Sequence, residues 1–393
     1  MAKISVLVPV YNVAPYLKKC MDSILSQTLD DIEILCGDGG STDGSLEILR
    51  EYESKDSRVH VISKKGSGYG QSMNECLAMA TGEYIGIVES DDLVRRDMYA
   101  VLFHAAEHFN ADIVLSDFYH YYDDGGKKII NILEHDCDYG KVILPHKRHD
   151  IFKAVIATWS GIYRREFLLK NNIRYNETPG GAFQDIGFWC KALCFAQRMA
   201  AVHRPFYMWR QDNPASSVKQ SDKAAERTYR EFDLLFDFFR ASAPDVLKEY
   251  ADGLTWRRLA SYFWVSERLT WEDTTKHFAR AANDFRKLRQ SGEYSEALFS
   301  EAEKAAMSRI DMCYEETNEK INLLRLQWDI EDKKREIDAL KSSREYRVGR
   351  AFYAASNAAG KMLAVILEKG IRSLTYSLLN KLNREGNKHG SNH

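Results

Sequence analysis

Short apolar runs alternate with amphipathic stretches along the first third of the chain. Ile4 to Val10, Ile32 to Cys36, Val59 to Ile62, Tyr84 to Val88 and Asp112 to Phe118 read as strands: β-branched and aromatic residues bounded by turn formers. Between them the pattern predicts helices opened by Pro15, from about Asp43, from Gly70 to Ala80 and from Asp97 to Phe109. Strand and helix in alternation predict an α/β fold, a mostly parallel sheet with helices on both faces. Right-handed crossovers then gather the loops that follow the strands on one sheet edge. Those loops carry Tyr11-Asn12, Asp38 to Asp43, Lys64 to Gly70 and Glu89 to Asp92.

Residues 120 to about 215 are less regular and aromatic-rich, and complete a first domain over 1–220. After Ser221 glycine and proline become rare and helix formers with charged faces dominate, predicting a helical domain over 221–310. In 311–345, Leu323, Leu326, Ile330, Ile337 and Leu340 recur at three and four spacing, with Lys333 interrupting. That pattern fits a helix packed on its own domain or a short coiled coil joining copies into a homo-oligomer. The stretch 346–393 places eight Lys or Arg against two Glu, interleaved with Phe352, Ile366, Leu374 and Leu378. Such a basic amphipathic tail suits an anionic membrane surface or a dock on the protein itself.

Composition narrows the classes. Of 393 residues 45% are hydrophobic, ordinary for packed cores, and 55 Lys and Arg nearly balance 57 Asp and Glu, so no net field favours nucleic acid. Seven scattered cysteines without CxxC spacing read as reduced core residues of a cytoplasmic protein. The N-terminus is too strand-like for a signal peptide, and no run of 18 apolar residues predicts a spanning helix. A cytoplasmic chain, peripheral at the inner face of the plasma membrane if the tail binds lipid, follows.

The chemistry concentrates after Tyr84 to Val88, where an apolar run ends in Glu89, Asp91 and Asp92. Carboxylates this close repel one another unless a cation or a hydrogen-bonding ligand lies among them, and the end of a strand is where open α/β sheets bind ligands. A divalent cation carrying a phosphorylated substrate answers both points. Gly66-Ser67-Gly68-Tyr69-Gly70 has GxGxG spacing, not the GxGxxG of a dinucleotide site.

Val8-Pro9-Val10-Tyr11-Asn12, Asp38-Gly39-Gly40-Ser41-Thr42-Asp43, Gly68-Tyr69-Gly70 with Asn74, Ala80-Thr81-Gly82-Glu83-Tyr84-Ile85 and Glu89-Ser90-Asp91-Asp92, in that order, resemble the motifs of family 2 glycosyltransferases. The resemblance runs from Ile4 to about Phe118, weakens towards 215 and is absent beyond. It implies the GT-A fold, a nucleotide-sugar donor, inversion at the sugar carbon and a Mn²⁺ or Mg²⁺ cofactor. By it, Asp38 accepts from the donor base, usually uracil, where the residue alone also reads as an Asx turn. Pro9, Tyr11 and Asn12 line the nucleotide pocket, and Gly68 and Gly70 let the chain approach ribose and diphosphate. Glu89, replacing an Asp, and Ser90 touch the donor, and Asp91 is the metal ligand.

The same resemblance makes Asp185 the base that activates the incoming hydroxyl, with Gln184 replacing its usual acidic neighbour. Trp159, Phe183 and Gln184 fall on the acceptor side, although core packing explains such aromatics as well. His203 occupies the place of a further metal contact and Arg210 that of a phosphate contact. Capping gives the plainer readings: Asp92 before a helix from Leu93 to Phe109, and Asp185 before one from Ile186 to Gln197. The function implied is an inverting, metal-dependent transfer from a nucleotide-sugar, most simply a UDP-sugar, to a glycan or lipid-linked acceptor in bacterial surface polysaccharide synthesis. The rival readings are a nucleotidyltransferase and a catalytically inactive sugar-nucleotide scaffold.

Overall fold

Every residue of β1 (Ile4–Val10) is buried, which is why its apolar run does not alternate with polar positions. It pairs in parallel with β2 (Ile32–Asp38) on one side and β4 (Tyr84–Ile87) on the other, and β2 with β3 (Val59–Ser63). Helices α1 (Ala14–Leu25), α2 (Ser45–Lys55) and α3 (Tyr69–Met79) connect these strands. Pairing of β1 with β4 stops at Leu7 opposite Ile87, while pairing with β2 continues to Val10 opposite Asp38. The strands therefore part beyond Leu7, and Pro9 owes no N–H to β4. The structure, a computed structural model, describes residues 2–181, 183–216 and 221–315.

The second half adds β5 (Leu93–Val94), α4 (Met98–Phe109), β6 (Ile113–Tyr121), β7 (Lys127–Ile130), β8 (Gly161–Arg164), α5 (Arg165–Lys170), α6 (Gln184–Phe195) and β9 (Met199–Arg210). The sheet order is β3-β2-β1-β4-β8-β6-β9-β5, with β7 on β6. β8 runs antiparallel to β4 and β6, β5 antiparallel to β9, and β9 parallel to β6. The parallel half is the one that strand-helix alternation predicts; the antiparallel pairs come from the irregular stretch after residue 120.

The helix expected from Asp97 forms, but the two capping readings do not hold. Leu93 and Val94 pair with Met208 and Tyr207 instead of entering a helix, so α4 begins at Met98 with Asp97 in the N-cap position, and Asp92 caps nothing. Helix α6 begins at Gln184, with Phe183 and not Asp185 before it.

Helices α7 (Ser221–Ser242), α8 (Pro244–Glu249), α9 (Ala251–Ser266), α10 (Trp271–Ser291) and α11 (Glu301–Glu315) follow. Residues 1–316 form one compact unit, so the boundary at 220 marks a change of secondary structure inside it. His149 Nδ1 lies 2.8 Å from Asp252, and the Arg257 guanidinium donates to the carbonyls of Phe152 and Ala154. Cys20, Cys36, Cys76, Cys190 and Cys194 are buried, Cys137 is exposed, and these six are free. Among the described residues no helix is long and apolar enough to cross a membrane. The heptad-like residues Leu323 to Leu340 and the basic tail 346–393 lie outside the described residues.

A Cβ added at Gly253 would stand 2.4 Å from the Phe152 ring. Gly253→Ala should therefore lift α9 from the Phe152 segment and cost about 1–3 kcal/mol. Urea denaturation followed by far-UV dichroism reads the loss, and an unchanged midpoint would show that the ring yields.

Candidate active site

The acidic turn follows directly on β4 and is held from behind by β9. Asp92 is buried and accepts from the Tyr207 hydroxyl at 2.8 Å and the Arg210 N–H at 2.7 Å. The Glu89 N–H donates to the same Tyr207 oxygen at 2.9 Å. Arg210 Nε donates to the Asp91 carbonyl at 2.7 Å, while its guanidinium lies over the rings of Tyr16 and Tyr121 and pairs with Asp123. Burial, with Asp91 next in line, pushes the Asp92 carboxyl well above the usual range. Asp92 and Arg210 thus fix the turn, and Arg210 is turned to that task instead of into the cleft.

The remaining acids are linked through Glu89. Glu89 accepts from the Tyr69 hydroxyl at 2.7 Å. Burial pushes its carboxyl up to about 8; the Tyr69 bond opposes the rise, and the charges of Asp91 and Asp185 add to it. Asp185, opening α6, is pushed up to about 6 by burial, against the Ile186 N–H at 3.0 Å and the charge of Arg257. Glu89 feels both Asp91 and Asp185, so it joins the turn after β4 to the start of α6 electrostatically. The Tyr175 hydroxyl, buried without a partner, and Tyr69, whose ring meets that of Tyr175 edge-on at 5.5 Å, belong to the same cluster. Asp91 is partly exposed and takes Asn213 Nδ2 on Oδ2 at 2.7 Å.

On the donor side, Asp38 is buried, and its carboxylate accepts from Gly40 N (3.1 Å), Ser41 N (3.1 Å) and Ser63 Oγ (2.9 Å), the Asx-turn arrangement. Asn12, at φ 52°, accepts from Thr42 N at 2.8 Å and donates its own N–H to Ser41 Oγ, stitching the loop after β1 to the loop after β2. Tyr11 is 64% exposed, not a buried rim residue. A Cβ at Gly39 would come within 3.4 Å of its ring and 3.0 Å of the Ser67 carbonyl, so glycine lets this loop pack closely there.

Gly68 and Gly70 face protein. A Cβ at Gly70 would stand 2.1 Å from the Asn176 carbonyl oxygen and one at Gly68 3.1 Å from that of Thr178. The close approach these glycines permit is therefore to the 176–180 loop. Asn74 fastens the same loop, donating to the Tyr175 carbonyl at 2.9 Å and accepting from its N–H at 3.0 Å. Gln184, read as an acceptor contact, is buried instead, with Nε2 on Thr178 Oγ1 (3.0 Å) and the Gly180 carbonyl (3.2 Å). Glu231 of α7 accepts from Asn176 and Thr178, and Lys191 of α6 donates to the Arg174 carbonyl. Three helices thus hold the loop that leads into Asp185.

Two further expectations change. His203 stands seven residues before Arg210 on β9, roughly 20 Å away at the rise of a strand. Its Nδ1 meets Asp117 at 2.8 Å and its ring lies on Tyr139, so it does not join Asp91. Trp159 is buried and stacks on Tyr207 at 4.2 Å, which supports the turn from within the core. Phe183, at φ 74°, is partly exposed and meets Trp264 of α9 at 5.7 Å. Tyr69, Tyr175, Tyr207, Asn213, Glu231 and Arg257 are site residues that the sequence reading missed. Tyr69 sat in plain view inside the glycine run; Glu231 and Arg257 look like any charged position on a helix face.

Comparison with known proteins agrees with this geometry. The family described as Glycosyl transferase family 2 matches residues 5–180. Glycosyltransferase GlyG of Streptococcus pneumoniae is 41% identical over 215 residues, covering 53% of this chain and 70% of GlyG. The chain belongs to glycosyltransferase family 2. EpsJ of Bacillus subtilis, described as an uncharacterized glycosyltransferase, is 33% identical over 56% of this chain, and GlyA of S. pneumoniae 35% over 41%. The chain spans 64% of the length of EpsJ and 24% of that of GlyA. The crystal structure of S. aureus TarS 1–349 superimposes with a TM-score of 0.54 at 21% identity, covering 72% of this chain and 79% of TarS 1–349. This family 2 member therefore has the GT-A fold.

Tyr207→Phe keeps the ring against Trp159 but removes the hydroxyl that bonds Asp92 Oδ2 and the Glu89 N–H, leaving Asp92 only the Arg210 N–H. A loss of about 1–3 kcal/mol is expected, read by equilibrium denaturation; wild-type stability would show that the turn is held without that hydroxyl.

Proposed function

We propose that this protein is an inverting, metal-dependent glycosyltransferase that moves a sugar from a nucleotide-sugar to a hydroxyl of a glycan or lipid-linked acceptor in cell-surface polysaccharide synthesis. The observation that supports the reading is that Glu89 is in electrostatic reach of both Asp91 and Asp185. Asp185 is the base: a carboxylate raised to about 6 is ionised at neutral pH yet more basic than an exposed one. It takes the proton of the incoming hydroxyl, which attacks the sugar carbon on the face opposite the leaving diphosphate. Exposed Tyr11 stacks on the base, and the Asp38 loop borders it; a UDP-sugar is favoured because TarS, which shares the fold, was crystallised with UDP-GlcNAc and with UDP.

The crowded acids suit a hard divalent cation, Mn²⁺ or Mg²⁺. Asp91 would hold it, and when bound it neutralises charge on the departing diphosphate. Among the described residues no group of three His, Cys, Asp or Glu stands close enough to hold a metal alone, so phosphate and water must fill the other positions. A nucleotidyltransferase is disfavoured because β1 runs into Tyr11-Asn12, not into a glycine-rich basic phosphate loop.

Incubation with UDP-sugars and Mn²⁺ should release UDP, not pyrophosphate; no release with any nucleotide-sugar would leave the inactive-scaffold reading. Asp91→Ala should abolish transfer with the fold intact, and normal turnover would refute its role. Asp185→Asn should cut kcat by about 10²- to 10⁴-fold with donor binding nearly unchanged. Because the base works deprotonated, kcat/KM should fall tenfold per unit as pH drops below about 6. A flat profile from pH 5 to 8 would remove Asp185 from the proton transfer. The basic tail is proposed to hold the enzyme on anionic membranes; equal co-sedimentation with anionic liposomes after removal of 346–393 would end that proposal.

A further inference from the structure

Helix α9 brings one face to the cleft. Arg257 acts on Asp185 electrostatically, and Ser261 and Trp264 follow at steps of four and three, the spacing that keeps residues on one side of a helix, while Arg268 in the turn after α9 folds back to donate to the Trp264 carbonyl. Trp264 is partly exposed, meets Phe183 at 5.7 Å near the start of α6, and carries the Arg268 guanidinium on its ring at 3.4 Å. Arg268 has Glu267 at 3.6 Å, and that acid is itself largely exposed.

A second cation stands at the same level. Tyr229 of α7 meets Tyr262 of α9 at 5.3 Å and Asp233 meets Arg258 at 3.2 Å, so the two helices run antiparallel and Arg227 falls opposite Trp264. The Arg227 guanidinium lies against Gly180, where an added Cβ would meet it at 2.9 Å. Its Nη1 is buried without a partner. A guanidinium nitrogen left so is costly unless an anion completes it. Gly180, at φ 98° and the last residue matched to the family, and Phe183 just beyond it lie on the stretch that leads into Asp185.

We propose that Trp264, Arg268, Phe183 and Arg227 form the acceptor subsite, and that it takes an anionic sugar, the ring lying against Trp264 and a phosphate or carboxylate meeting Arg227. The inference rests on the glycosyltransferase reading above and adds the charge class of its acceptor. A sugar's C–H face suits the indole surface, and the guanidinium fork suits phosphate and carboxylate oxygens.

Saturation-transfer NMR on the full chain loaded with UDP and Mg²⁺ tests it, with glucose 1-phosphate, glucuronic acid and neutral methyl glucoside as probes. An anionic probe should bind at least about tenfold more tightly than the neutral one, and Arg227→Gln and Trp264→Ala should each remove about tenfold of that affinity. Which anionic probe binds better separates phosphate-bearing from uronic acceptors. Arg268→Gln serves if Trp264→Ala fails to fold, and retained thermal stabilisation by UDP marks a folded variant. Equal binding of all three probes, no binding of either anionic probe, or variants that bind like wild type would each overturn the proposal. So would an Arg227→Gln variant that loses UDP and not the sugar, because the cation would then serve the donor. A wild-type chain that does not bind UDP strikes the glycosyltransferase reading; one that binds UDP but no anionic sugar strikes only this one.

Discussion

Four carboxylates placed within reach of one another govern the rest of this structure, because each must be neutralised, hydrogen-bonded or left to a ligand. Asp92 is answered within the protein, by the Tyr207 hydroxyl and the Arg210 amide. Glu89 is answered in part, by Tyr69. Asp91 keeps one oxygen on Asn213, and Asp185 has only the neighbouring N–H and the more distant charge of Arg257. The gradient from satisfied to unsatisfied separates supporting acids from acids available to chemistry. Arg210, stacked between two tyrosines with its charge paired behind the turn, is what lets that much negative charge sit at the end of one strand.

The helical region belongs to this scheme. Glu231 holds the loop before Asp185, and Arg257 brings positive charge towards Asp185 itself. Both come from helices outside residues 5–180, the stretch matched to the family. The acidic turn after β4 thus lies in the shared half, and part of what surrounds it comes from the stretch that the family description does not cover.

Much of this was legible in the chain. The buried run Ile4 to Val10, the acidic end of β4 and the motifs around Asp38 and Asp91 declare the parallel half, because strand burial and turn chemistry are local. What stayed hidden is tertiary. Asp92 caps no helix because β9 offers Leu93 and Val94 a pairing partner that no local pattern announces. Gly70 signals a close approach, but only the fold says that the approaching atom is the Asn176 carbonyl and not a phosphate. His203 and Arg210 stand in one short segment, yet an extended strand carries them to different regions, where a helix would have kept them together.

Asn74 gives and receives a bond at the same residue, Tyr175, while Gly70 leaves no clearance above Asn176. Helix α3 and the segment entering α6 are therefore coupled as a single lever. A displacement at either end is therefore shared by the other, so the turn before Asp185 keeps its place only while α3 keeps its own.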